Sequence, residues 1–284
     1  MKIFVAGASG VIGRLLLPQL VQAGHDVIGM TRKEEQREAI EQTGAKAVVA
    51  DVFDREQMVN ILTQVKPDVV IHQLTSLSQG SSAENARIRI EGTRNLVDAA
   101  KQAKVQKIIA QSISWAYEPG PTPAAEETAL DSFAPIPRNT TINGVVALEE
   151  AVKEIPAYVI LRYGTLYGPA TWYDKNGDTA KKVMNQEMKA TDGVSSFVHV
   201  EDAVNAALLA LDWPTGTYNI VDDEPAKGIE WLPVYAQALG APAPEIQSGA
   251  APWERGASNH KAKNERGWIL QYPTWRSGFS KSLQ

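Results

Sequence analysis

Phe4-Val5-Ala6-Gly7-Ala8-Ser9-Gly10-Val11-Ile12-Gly13 decides the reading of this chain. A short apolar strand runs into three glycines at three-residue spacing. Leu15, Leu16, Leu17, Leu20 and Val21 then mark an amphipathic helix. Glycines at these points let the chain turn tightly, let a pyrophosphate approach bare backbone, and let the helix pack close on a sheet. The start of the helix offers free N–H groups and a partial positive charge to an anion. Gly7, Ala8, Ser9, Gly10, Val11, Ile12 and Gly13 are therefore candidate dinucleotide-binding residues. Their spacing is G-x-x-G-x-x-G, which departs from the commoner G-x-G-x-x-G.

Working outward, apolar β-branched runs at 2–6, 26–30, 46–50, 68–72, 106–112 and 157–162 predict strands. Helical patterns near 11–23, 33–43, 54–65, 84–103 and 139–153 lie between them. Such alternation predicts βαβ units, hence an α/β fold with a doubly wound parallel sheet of the Rossmann kind. Val69-Val70-Ile71 and Ile108-Ile109-Ala110 are continuously apolar, as strands buried on both faces should be. Ligands of such sheets sit beyond the C-terminal strand ends, where the winding reverses. After about residue 165 the regularity breaks. Residues 118–138 form a proline-rich loop, and a loop of that length is more often functional or mobile than incidental. Six of the seven tryptophans (Trp172, Trp213, Trp231, Trp253, Trp268, Trp275) fall in the C-terminal part. They mark a smaller lobe over the ligand site, or they pack a core or dimer face.

The bulk properties narrow the class. A chain of 284 residues with 44% hydrophobic and 21% charged content is ordinary for a soluble globular protein. A net charge of −5 with no basic run argues against nucleic-acid binding. The absence of cysteine excludes disulfides and thiolate chemistry. The four histidines are scattered, with no close carboxylate pair, so no metal site is expected. Met1-Lys2 leads directly into a strand, and no apolar run is long enough for a bilayer, so a cytoplasmic protein away from membranes is the expectation.

The second strand ends Val27-Ile28-Gly29-Met30-Thr31-Arg32-Lys33, with arginine where an NAD-binding protein usually places an acid. A guanidinium there can fork onto the 2′-phosphate of NADP, helped by Thr31 or Lys33. Equally, Arg32 and Lys33 can be the exposed start of a helix carrying Glu34 and Glu35. NADP is the expected cofactor, with NAD as the alternative. Asp51, in Val48-Val49-Ala50-Asp51-Val52, either accepts from an adenine amino group or caps the next helix.

Several further segments resemble the short-chain dehydrogenase/reductase superfamily, of the extended or atypical type grouped with NAD-dependent epimerases and dehydratases. They are Gly7/Gly10/Gly13, Asp51-Val52, Val70-Ile71-His72-Gln73-Leu74-Thr75 and Glu91-Gly92-Thr93-Arg94-Asn95-Leu96. Leu161-Arg162-Tyr163-Gly164-Thr165-Leu166-Tyr167-Gly168-Pro169 and Phe197-Val198-His199-Val200-Glu201-Asp202 extend the likeness over nearly the whole length. The resemblance implies an NAD(P)-binding domain at 1–165, joined again at about 196–220. Residues 166–195 and 221–284 would then shape a smaller substrate lobe. It also implies that Gln73, Leu74, Thr75, Ser112, Tyr163 and Gly164 line the cofactor.

The family's working pair is Tyr-x-x-x-Lys on one helical face, where the lysine lowers the tyrosine pKa from about 10. The corresponding helix here reads Asn139-Thr140-Thr141-Ile142-Asn143-Gly144-Val145-Val146-Ala147-Leu148-Glu149-Glu150. Thr141 or Ile142 stands at the tyrosine and Val145 or Val146 at the lysine, so neither register restores the pair. The family's serine segment is shifted too, in Gln111-Ser112-Ile113-Ser114-Trp115-Ala116-Tyr117. Alternation along a strand puts Ser112 and Ser114 on one face, either to polarise a carbonyl or to satisfy backbone at the strand end. Tyr117 is the first candidate proton donor, Tyr163 and Tyr167 come next, and His199 is a remote one. His72, at the end of a buried strand, reads as a satisfied core histidine.

Three functions follow. The first is an NAD(P)-dependent oxidoreductase on a small carbonyl or alcohol, acting as monomer or homodimer with an unusual proton donor. The second is a nucleotide-sugar epimerase or dehydratase, which leans hardest on the missing pair. The third is a non-catalytic NADP-binding sensor.

Overall fold

The inner apolar runs become parallel strands because they are buried on both faces under one-faced helices, while the run at 46–49 is only half-buried at the sheet edge. A computed structural model describes residues 1–75 and 82–283. It opens with β1 (Lys2–Ala6), α1 (Gly13–Gln22), β2 (Asp26–Thr31), α2 (Arg37–Glu41), β3 (Lys46–Val49), α3 (Arg55–Val65) and β4 (Val69–His72). α4 (Ser82–Arg87), α5 (Thr93–Gln102), β5 (Lys107–Ile113), α6 (Arg138–Val152) and β6 (Ala157–Tyr163) continue the alternation. Next come β7 (Thr165–Tyr167), α7 (Asp178–Met184), β8 (Val194–Ser195), β9 (Phe197–His199), α8 (Val200–Leu209) and β10 (Gly216–Ile220). β11 (Ala226–Lys227), α9 (Gly228–Leu239) and α10 (Trp275–Ser282) complete the described chain. Among the described residues no helix is long and apolar enough to cross a membrane.

Seven of the strands form a sheet in the order β10-β6-β5-β4-β1-β2-β3, the doubly wound Rossmann arrangement, while β11 pairs with β8 and β7 with β9. Winding runs outward from β1 through β2 to β3 and then reverses to β4 on the other side of β1. In the parallel register Ala6 lies beside Met30 and His72, and His72 beside Ala110. The residues that follow, Gly7, Thr31, Gln73 and Gln111, therefore begin one C-terminal edge. The proline-rich stretch before α6 carries no helix or strand, although Ala124 makes an isolated bridge to Ala257.

Two compact units divide the chain. The first comprises Met1–Ser112, Leu130–Leu161 and Ala207–Thr217. Phe4, Val70 and Ile108 pack there in one apolar cluster with Leu62, Leu96 and Leu148. The second comprises Ile113–Ala129, Arg162–Ala206 and Tyr218–Gln284. Its core is aromatic: Phe197 meets Trp231 edge-on at 5.2 Å, and Tyr167 meets Phe279 at 5.1 Å. Trp268 and Trp275 are buried with their indole N–H groups on the carbonyls of Asp202 and Glu224. For these, packing is the role.

One predicted helix is interrupted. The pattern over 84–103 becomes α4, a wide π turn at Ile88–Gly92, and α5. Gly92 presses on Val52, where an added Cβ would lie 2.9 Å from Cγ1. Thr93 is fully buried, and its hydroxyl meets His72 Nε2 at 2.9 Å. The extra residue in the turn accommodates these two contacts, which hydropathy does not encode.

His72 accepts the Leu74 amide at Nδ1 (3.2 Å), so Nε2 carries the hydrogen and donates to Thr93. Burial, with the nearby Arg89 charge, pushes its pKa down to about 4. His199 in the second unit is likewise buried and lowered to about 4 by desolvation. Both are neutral in the fold. A base whose folded pKa is depressed gives full stability above its unfolded value near 6.5, and that stability drains as pH falls toward 4. Each histidine thus costs about 2 kcal/mol at pH 5. We expect denaturant titrations to show His72→Gln losing about 2 kcal/mol less than the parent between pH 7 and pH 5.

Candidate active site

In the first unit, the turn after β1 is held by its own backbone. Gly7 and Ala8 donate to the Met30 carbonyl (3.3 and 3.0 Å), and Gly10 donates to the Gly7 carbonyl (3.1 Å). Gly7 has φ +93°, and a Cβ there would lie 2.6 Å from the Gln73 carbonyl oxygen. At Gly13 a Cβ would lie 2.2 Å from the Gly7 oxygen. The amides of Ser9, Val11, Ile12 and Gly13 have no acceptor among the described residues. Four unpaired N–H groups at a helix N-terminus fit the pyrophosphate of a dinucleotide.

At the end of β2, Ser9 Oγ and Thr31 Oγ1 lie 3.1 Å apart, and Thr31 also accepts the Lys33 amide at 3.2 Å. Thr31 is buried and Arg32 is exposed, with Nη1 3.9 Å from Glu84 Oε1. After β3, Asp51 is exposed and its Oδ1 accepts the Phe53 amide at 3.0 Å. The cap of α3 is Asp54, which accepts the Gln57 amide, so capping does not occupy Asp51. Val52 is buried, and Asn95 Nδ2 donates to its carbonyl at 3.0 Å, tying α5 to this loop. After β4, the Gln73 amide donates to Ala6, and Gln111 Nε2 donates to the Leu74 carbonyl at 3.1 Å. Thr75 is half-buried beside them in sequence.

Ser112, near the end of β5, donates its hydroxyl to Glu149 Oε1 at 2.7 Å, with both residues buried. Arg89, in the π turn, is also buried, and desolvation lowers its pKa to about 10 against the opposing pull of Glu149. Sequence reasoning used Glu149 only to count register and gave Arg89 no role. A signal for Glu149 existed: it stands on the same stripe of α6 as Ile142, Val145 and Val152, all fully buried. Arg89 had none, because the π turn that carries it follows from tertiary contacts. α6 itself contains neither tyrosine nor lysine.

In the second unit, the Ser114 amide donates to the Tyr163 carbonyl at 2.9 Å, and both side chains are buried. The Gly164 amide donates to the Ile220 carbonyl, and a Cβ at Gly164 would lie 2.6 Å from the Ser196 oxygen. Tyr117 is almost wholly buried and donates to Asn219 Oδ1 at 2.5 Å. Burial pushes its pKa up to about 12, with Arg162, 4.9 Å from the ring centre, pulling the other way. Asn219 is fixed in turn by donating to Ala124, Ser258 and Glu126. Ser114 and Tyr117 line a cavity of about 230 Å³ with Trp115, Thr165, Trp253 and Arg255. Tyr167 is buried with its hydroxyl pKa raised, and His199 is stacked on Tyr272 at 3.6 Å. Both belong to the aromatic core. Among the described residues no three histidine or carboxylate side chains converge to hold a metal ion.

Residues 3–221 match the NAD dependent epimerase/dehydratase family. The chain is 39% identical to a 3-diazoavenalumate denitrifying reductase from a Streptomyces species, over 99% of this chain and 100% of that protein. It is 27% identical to a dTDP-4-dehydro-6-deoxy-D-allose reductase from Streptomyces, over 84% and 82%. Among solved structures, a Thermus thermophilus UDP-glucose 4-epimerase in complex with NAD superposes with TM-score 0.76 at 24% identity, over 99% and 97% of the chains. A Thermotoga maritima UDP-glucose 4-epimerase with UDP-glucose gives TM-score 0.78 at 21% identity, over the same shares. At those identities the solved structures show the fold alone. With three quarters of its length matched and a full-length relative at 39% identity, the chain belongs to the NAD-dependent epimerase/dehydratase family.

Proposed function

We propose that this protein is an NADP-dependent reductase of a small organic molecule that needs no proton from the enzyme. One observation carries the reading: the turn after β1 has four free amides and glycines where a side chain would clash, while α6 has no tyrosine or lysine. The similarity to a reductase named for a diazo substrate and a denitrifying reaction supports it. When bound, NADPH would supply a hydride, and replacing a diazonium group on carbon by that hydride would release dinitrogen and need no proton from the protein.

In this reading the amides from Ser9 to Gly13 hold the pyrophosphate. Arg32, with Thr31, takes the 2′-phosphate, and NAD is the cofactor if Arg32 stays on Glu84. Asp51 and Val52 meet the adenine, and Gln73, Leu74 and Thr75 line the ribose. Ser112, Tyr163 and Gly164 flank the nicotinamide, with residues 166–195 and 221–284 bearing the substrate. The cavity size supports a small substrate: about 150 Å³ accepts benzene, so about 230 Å³ suits one substituted ring.

The second reading is reduction of a small carbonyl, favoured by Tyr117 and Ser114 lining one cavity. That reaction must protonate an oxygen, and Tyr117 is poorly suited to it. Its pKa stands near 12 and its hydrogen is committed to Asn219.

Two substitutions test these statements. Arg32→Ala should weaken NADPH by about 10- to 100-fold, the size of a charge-assisted hydrogen bond, and leave NADH within about threefold. Fluorescence titration of the reduced coenzymes measures both. Tyr117→Phe should leave NADPH-dependent reduction of an aryl diazonium within about threefold, while orphaning Asn219 Oδ1 costs about 1–3 kcal/mol of stability. A fall of about 100-fold or more in turnover, without unfolding, would assign Tyr117 as the donor and restore the carbonyl reading.

A further inference from the structure

We infer that the cavity of the second unit is a receptor for an aromatic monocarboxylate, with Trp115 and Trp253 as its apolar wall and Arg255 as its anion clamp. The inference deepens the proposed reductase reading, on which its placement as the substrate site rests.

The wall is built from two indoles that touch without covering each other. Their centres are 6.2 Å apart and their planes are inclined by 45°. Trp115 is 39% exposed, an unusual state for so large an apolar surface. An inclined pair leaves a corner that a planar ring fills with offset and edge contacts.

Arg255 supplies the charge. Its Nε donates to the Thr122 carbonyl at 2.6 Å and its Nη1 to the Glu118 carbonyl at 3.1 Å. The group lies against Gly120, where a Cβ would come within 2.2 Å of Nη1. A side chain that normally loses much freedom on binding is thus already held in one orientation. No carboxylate lies within ion-pair distance of it among the described residues, and Nη2 has no acceptor. An always-charged, pinned and unneutralised guanidinium at a cavity wall is suited to a planar carboxylate. Glu254 lines the same cavity, and its Oε2 accepts the Ala251 amide at 2.6 Å. That negative charge repels a dianion about twice as strongly as a monoanion, which favours a monocarboxylate over a phosphate.

The test is calorimetry on the full chain saturated with NADP, using cinnamate and the isosteric neutral cinnamamide as probes. Cinnamate should bind at least about tenfold more tightly than the amide, as a charge-assisted fork requires. Arg255→Lys should erase most of that difference, and Trp253→Leu should weaken both probes alike, with NADP affinity and unfolding midpoint reporting that each variant is folded. Equal affinity for acid and amide, or no binding of either while NADP binds normally, would overturn the assignment. Binding of cinnamate by protein that takes up no NADP would instead keep the receptor and sink the reductase reading.

Discussion

Among the glycines of the first unit Gly13 is the most tightly covered, and α1 reaches the turn after β1 only because that residue has no side chain. A Cβ there would sit 2.2 Å from the Gly7 oxygen and 2.8 Å from the Ala8 oxygen, well inside contact distance. With α1 seated, Gly7 must bend at positive φ under the Gln73 carbonyl, and Ala8 must bond across to Met30. Gly29 below it is equally constrained, since a Cβ would meet the Ala8 and Ile40 side chains at 2.9 Å. Four backbone positions thus fix how helix, turn and two strands meet. The free amides of the cradle are a by-product of that packing, and they cost nothing further to orient.

A second constraint runs along the ends of β4 and β5. His72 is kept neutral so that one ring nitrogen accepts and the other donates, which satisfies the Leu74 amide and Thr93 together. Ser112 and Glu149 are paired nearby in the same unit, with Arg89 held ionised at a lowered pKa. Buried charges survive when each has an opposing charge or a hydrogen-bond partner. The π turn between α4 and α5 belongs to the same arrangement, because it sets Thr93 against His72 and Gly92 against Val52.

Most of the strand framework was legible because its signals are local. Strands buried on both faces read as unbroken apolar runs, and β1, β3, β4, β5 and β6 lie within a residue or two of their expected ends. The glycines of the first turn were legible for the same reason, since one steric rule governs them. What lay beyond reach depends on distant partners. Trp115 and Arg255 line one cavity although 140 positions separate them in sequence, and no periodicity links them. The π turn, the neutral state of His72 and the anchoring of Tyr117 by Asn219 are likewise products of tertiary contact. Asp51 shows the middle case: two roles were open in sequence, and the presence of Asp54 as the α3 cap removes one of them.

The absence of a tyrosine–lysine couple on α6 is built into how that helix packs. Ile142 and Val145 are fully buried, and Glu149, two turns along, is directed to Ser112. A lysine in place of Val145 would bring an ammonium into a site with no exposure, at a cost of several kcal/mol unless a carboxylate moved to meet it. The one buried carboxylate of this helix already accepts from Ser112 and balances Arg89. With Val146 as the lysine position instead, that cost is smaller, because Val146 is only half-buried. Under the proposed function the reaction must take no proton from this face. In that reading the electrophile's own departing nitrogen meets that condition, and the protein is left to bind, orient and exclude water.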